Sequence, residues 1–193
     1  MRDPRDGLVS LAFYIDKIMD AYLNGKVQNK APCHMSRSDC LNWKKLNFDE
    51  KLMYAIKSEK AFGYDFSWAV SKQWELASKH HKKLLQGEKF LILTKFEDLI
   101  GAKGQGSTEK QFNEIKKITR FLGLNLSDSK IKSVQKNYWG GTHTFFKGQI
   151  GKWKLFFKPN HIKEFLPRFQ RYLEEFGYEK NADWAKPYLA KEV

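Results

Sequence analysis

The sequence predicts an α/β chain in which helices far outnumber strands, and three observations carry that prediction. Apolar residues recur at helical spacing in segment after segment. One continuous apolar run of strand length, Phe90-Leu91-Ile92-Leu93, lies between turn and charge signals, the pattern of a strand buried on both faces of a parallel sheet. The 193 residues, 41% hydrophobic and 15% aromatic, suffice for one globular domain with a sizeable core. A lone parallel strand cannot satisfy its own backbone, and the chain encodes no obvious neighbour for it. The sequence therefore reads as the back part of a larger α/β fold.

The elements follow in order. Asp3 can cap a helix that Pro4 opens, with Asp6 three residues after the cap and Leu8, Leu11, Ile15, Ile18 and Tyr22 along one face. Residues 24–47, with Gly25, Pro32, Ser36 and Ser38, read as an irregular connection. Phe48 to Lys60 predicts a short helix around Leu52, Met53 and Ile56, and Gly63-Tyr64-Asp65 a break. Phe66, Val70, Trp74, Ala77 and Leu84 predict a helix over 66–85, and the apolar run follows it. Gly101 to Gly106 lacks the Lys-Ser/Thr ending of a phosphate loop and reads as a linker. Ser107 caps the next helix, Phe112, Ile115, Ile118 and Leu122 face inward, and Gly123 ends it. Ser127 begins another helix, carrying Ile131 and Val134. Tyr138 to Phe157 mixes aromatic, glycine and basic residues, as would a loop over a flat ligand or a loop packed on the core. Pro159 opens the last long helix, with Ile162, Phe165, Leu166, Phe169 and Leu173 inward and Gly177 as its stop.

Lys and Arg number 35 against 22 Asp and Glu, a net charge of +13 that favours anionic partners on encounter. Much of this charge falls on the polar faces of predicted helices and needs no ligand. Two cysteines, Cys33 and Cys40, exclude a disulfide framework and suit a reducing compartment, so a soluble cytoplasmic protein is expected. Cys33, His34 and Cys40 do not have the spacing of a zinc site, and no metal is expected. No apolar stretch approaches the length of a membrane span.

The start of the chain is the most informative stretch. Arg2 on the approach to a helix N-terminus and Ser10 two turns in surround free backbone N–H groups and the positive end of the helix dipole, which together favour a phosphate. The competing reading is a set of local surface ion pairs.

Three motifs then agree with one family. Arg2-Asp-Pro-Arg-Asp-Gly-Leu-Val-Ser10 resembles the Arg-x-Pro-x-Asp-x-x-x-Ser motif of sulfotransferases that use 3′-phosphoadenylyl sulfate. Phe96-Glu97-Asp98-Leu99 is similar to that family's Tyr-Glu-Asp-Leu, and Phe145-Phe146-Lys147-Gly148-Gln149-Ile150-Gly151-Lys152-Trp153-Lys154 to its Phe-Arg-Lys-Gly-x-x-Gly-Asp-Trp-Lys. The resemblance spans nearly all of residues 1–193, as a partial sulfotransferase domain. It implies a P-loop NTPase-like sulfotransferase fold, truncated at the N-terminus and hence helix-rich with few parallel strands. It also implies transfer of a sulfuryl group from 3′-phosphoadenylyl sulfate, the co-substrate, to a hydroxyl or amine on a small molecule or glycan. Arg2, Ser10, Lys147 and Gly148 would hold the 3′-phosphate, with Phe96 and Val134 near the nucleotide.

The departures matter equally. Phe146 stands where the family has Arg, Lys152 where it has Asp, and Phe96 where it has Tyr, which shifts the expected phosphate contacts toward Arg2 and Lys147. The dimer segment of animal members is matched at Lys154 alone, so that dimer is not expected. The family's phosphosulfate loop and catalytic histidine precede the Arg-x-Pro motif, where this sequence has Met1 alone. None of His34, His80, His81, His143 and His161 takes that catalytic role, and the chain by itself is expected to turn over little or no substrate. The alternative reading is a non-catalytic basic module that binds nucleic acid or an anionic polymer.

Overall fold

The computed structural model describes residues 1–26, 36–137 and 148–190. Helices dominate, as the periodicity predicts. They are α1 (Pro4–Leu23), α2 (Arg37–Lys45), α3 (Phe48–Lys57), α4 (Phe66–Ala69), α5 (Ser71–Leu85), α6 (Phe96–Leu99), α7 (Thr108–Phe121), α8 (Asp128–Asn137), α9 (Pro159–Glu175) and α10 (Lys186–Leu189). The sheet among the described residues is one antiparallel pair, β1 (Lys60–Ala61) and β2 (Tyr64–Asp65), in the register Lys60↔Asp65 and Ala61↔Tyr64. No helix among the described residues is long and apolar enough to cross a membrane. The chain packs as two compact units, one of residues 1–3 and 79–152, the other of residues 4–78 and 153–193.

The second unit holds the main core. Leu8, Ala12, Ile15 and Met19 of α1 and Leu52, Ala55 and Ile56 of α3 are buried, as are Ile162, Phe165, Phe169 and Leu173 of α9. Pro4 opens α1, and Gly177, at φ +65°, follows α9, as the capping signals predict. The expected irregular connection over 24–47 is corrected in its last part, where α2 forms. Ser36 and Asp39 cap each other reciprocally, and Cys40 and Trp43, three apart, bury one face of that helix. The Asp16 carboxylate accepts hydrogen bonds from the Trp43 indole at 3.2 Å and the Lys51 ammonium at 2.8 Å, which is how a buried lysine is tolerated there. The single helix expected over 66–85 breaks at Val70, whose backbone leaves helical geometry, and Phe62 and Gly63 at positive φ make the tight turn between β1 and β2.

In the first unit Ser107 caps α7 by accepting from the Lys110 amide, and Gly123 follows it at φ +74°. Ile115 is buried, but Leu122 is 62% exposed, so the inward face of α7 ends a turn earlier than its pattern suggests. The expected parallel strand Phe90–Leu93 is corrected. Residues 89–90 form a turn and residues 91–95 have no regular secondary structure, and no partner strand pairs with them among the described residues.

Candidate functional site

The candidate site is built in the first unit by three segments far apart in sequence. The Met1 ammonium donates to the Thr94 carbonyl at 2.5 Å, and the Phe96 amide donates to the Met1 carbonyl at 2.5 Å. The Asp3 amide then donates to the Glu97 carboxylate at 2.8 Å. Glu97 therefore fixes the turn that leads into the Arg-x-Pro motif. Its carboxylate and that of Glu114 favour the protonated Met1 amine, but burial outweighs them and pushes that amine below its usual range.

This turn carries Arg2 onto Phe96. The guanidinium lies 4.6 Å from the ring centroid, a cation–π contact that needs the ring and no hydroxyl. Arg2 Nη2 donates to the Gln149 carbonyl at 3.1 Å, one residue after Gly148, whose backbone sits at φ +51° and is buried. Arg2 Nε is buried and has no hydrogen-bond partner among the described residues. A buried donor left unmade costs about 1–3 kcal/mol, which an anionic acceptor reaching it would recover.

The third segment, Gly101–Gly106, is corrected from linker to platform. The Ile150 amide donates to the Gly104 carbonyl at 3.2 Å, and a Cβ on Gly104 would lie 2.6 Å from the Gly148 carbonyl oxygen and 2.2 Å from Ile100 Cγ1. Gly101, at φ +68°, leaves room for the Gln111 side chain, whose amide donates to the Leu99 carbonyl at 2.8 Å. The glycines serve close backbone approach, not flexibility. Their separation in sequence from residue 148 hides this role.

Beside the platform lies an open cleft of about 620 Å³ whose wall includes Ile100, Lys103, Gln111, Lys132, Gln135 and Lys136. Gln135 donates to Gln111 Oε1 at 3.3 Å and to the Thr108 carbonyl at 2.7 Å, locking α8 to α7. The lysines are exposed and supply positive charge without a carboxylate among the lining residues.

The expected site residues thus divide. Arg2, Phe96 and Gly148 are brought together. Lys147 lies outside the described residues, as do Phe145, Phe146, Cys33, His34 and His143. Ser10 is on α1 in the second unit and half-buried, and Val134 is on α8 and 41% exposed. No group of three potential metal ligands is present among the described residues.

No family model, curated protein or solved structure matches this chain.

In the second unit the same two motifs meet again. The Asp6 carboxylate accepts from the Trp153 amide at 2.9 Å in a buried bond. Arg5 lies between the Trp153 and Trp184 rings, 4.2 and 4.5 Å from their centroids, and pairs with Glu179 at 2.6 Å. Arg5 is therefore a structural cation. His161 is structural as well, since its Nδ1 accepts from the Lys158 amide at 3.1 Å and its Nε2 donates to the Asp49 carbonyl at 3.0 Å.

Proposed function

We propose that the protein is the nucleotide-holding part of a sulfotransferase that uses 3′-phosphoadenylyl sulfate, and that Arg2 grips the 3′-phosphate of that co-substrate. The observation that carries this reading is the contact of Arg2 with Phe96 and Gln149, which joins three motifs whose order resembles the sulfotransferase family. Two features of the chain suit such a ligand. The buried Nε of Arg2 is a charged donor without an acceptor among the described residues, and Gly104 lies so close beneath the Gly148 backbone that a side chain on it would intrude.

The proposed division of labour follows from these residues. Arg2 supplies charge and planar donors, and Phe96 fixes the plane of its guanidinium. By the resemblance of their motif to the family's, Lys147 and Gly148 would join Arg2 on that phosphate. The co-substrate itself supplies the sulfuryl group, for a hydroxyl or amine acceptor on a small molecule or glycan. No described histidine is assigned as base, and the P-loop-type sheet that would carry the phosphosulfate belongs to this proposal too.

Thermal unfolding with adenosine 3′,5′-bisphosphate tests it. The reading expects the ligand to raise the midpoint of the wild type by several degrees at a hundredfold excess over Kd, equivalent to about 2.7 kcal/mol, and to raise that of Arg2→Ala and Lys147→Ala much less. Equal shifts in all three refute the assignment. A polymer-binding module, which the net charge of +13 and the lysine-lined cleft favour, makes a different prediction. Its affinity for oligonucleotide would fall steeply with salt, whereas a clamp on one nucleotide depends on salt weakly.

A further inference from the structure

The cleft in the first unit gathers cations and no carboxylate among its described lining residues. Lys132 and Lys136 stand one turn apart on the same face of α8, and Lys103, on the short turn Ala102–Gly104, belongs to the same lining. None of the three has an ion pair or a hydrogen bond among the described residues. Asp128, the carboxylate one turn before Lys132, pairs with Lys116 at 2.8 Å instead. Like charges at that spacing repel and weaken a helix, so an anion held between them relieves a cost that α8 otherwise carries.

Gln111 adds direction to this charge. Its side chain lines the cleft although the residue is only 8% exposed. The amide donates to the Leu99 carbonyl at 2.8 Å and its oxygen accepts from Gln135 at 3.3 Å, which leaves one N–H of the amide without an acceptor among the described residues. A buried donor of that kind calls for an acceptor. Ile100, Ala102 and the methylene stems of the lysines supply apolar wall, and the volume of about 620 Å³ is that of a small-molecule site.

We propose that this cleft binds a small dianion, a compact apolar body carrying two anionic groups that Lys103, Lys132 and Lys136 share, with one anionic oxygen accepting from Gln111. Two anionic groups bring the cleft close to neutral, whereas one leaves most of its charge unmet. A polymer would follow charge along an extended groove, but a bounded volume with a buried amide in its wall suits a discrete molecule. Arg2, Phe96 and Gly148 are not among the lining residues, so the inference stands apart from the nucleotide reading.

Isothermal titration of naphthalene-1,5-disulfonate into the full chain tests it, with naphthalene-1-sulfonate and inorganic pyrophosphate alongside. The disulfonate is expected to bind about tenfold or more tighter than either. Lys103→Gln, Lys132→Gln and Lys136→Gln should each weaken it by about threefold or more. Lys130→Gln, which takes the same charge from α8 outside the cleft, should leave it unchanged, as should a large excess of adenosine 3′,5′-bisphosphate. Absence of binding, equal affinity for the monosulfonate or for pyrophosphate, or equal weakening by Lys130→Gln would overturn the proposal. So would displacement by the bisphosphate, which would make the cleft part of the nucleotide site, or by a short oligothymidylate, which would make its occupant a nucleic acid.

Discussion

Gly104→Ala puts the platform beneath Gly148 under direct strain. The added Cβ would stand 2.2 Å from Ile100 Cγ1, 2.9 Å from Ile100 Cγ2 and 2.6 Å from the Gly148 carbonyl oxygen. The Ile100 side chain is buried and the oxygen is backbone, so neither can swing away as a flexible side-chain tip would. Overpacking of this kind costs about 1–3 kcal/mol, and displacement of residues 148–150 also breaks the Ile150 bond to Gly104, worth about 0.5–1.5 kcal/mol. The expected loss is about 2–4 kcal/mol in all. Urea unfolding measures it, and amide exchange at Ile150 shows whether that bond has opened. Gly7→Ala is the control, because its Cβ in α1 would meet nothing within 4 Å and should be neutral or stabilising by up to about 1 kcal/mol. If Gly104→Ala unfolds at the wild-type midpoint with Ile150 still protected, the platform does not hold the late turn.

Further outcomes follow from the same geometry. Arg5→Ala removes a cation held between Trp153 and Trp184 and abandons Glu179, and should cost about 3–5 kcal/mol in urea unfolding; a loss below about 1 kcal/mol would show that the sandwich contributes little. Asp6→Ala leaves the buried Trp153 amide unpaired and should cost about 1–3 kcal/mol, whereas Asp6→Asn keeps an acceptor and should cost less; the reverse order would contradict the role given to Asp6. Burial lowers the Met1 amine, so the unfolded chain binds more protons than the folded one just below the ordinary amino-terminal value. Stability should therefore rise with pH up to about 8, and acetylation of Met1 should flatten that rise in a pH series of unfolding midpoints; an unchanged slope would count against the buried amine.

Local signals in the sequence were legible because local physics decides them. Ser107 before α7, Pro4 at the start of α1 and Gly177 after α9 act through their own backbone and neighbours, and each stands where the pattern places it. The apolar run at Phe90 promised a strand, but a strand is a relation between two segments, and its hydrogen bonds depend on a partner the run does not specify. The same limit hid Gly104, whose need for a bare backbone comes from Gly148, and Arg5, whose two rings lie at positions 153 and 184. Of the candidate site, the meeting of the chain's beginning with its late turn was readable through motif order. That Glu97 is the acceptor fixing the Arg2 turn, and that Gly104 backs residues 148–150, was not, because neither role leaves a local mark.

The central claim is that Arg2 holds a 3′-phosphate. Isothermal titration of adenosine 3′,5′-bisphosphate and adenosine 5′-phosphate into the wild type and Arg2→Ala tests it most directly, because the two ligands differ by that phosphate alone. The account predicts that the wild type prefers the bisphosphate by about tenfold or more, as charge-assisted bonds of about 1.5–3 kcal/mol require, and that Arg2→Ala loses most of this preference. Equal affinity of the wild type for both nucleotides, or a preference that survives the loss of Arg2, would contradict it.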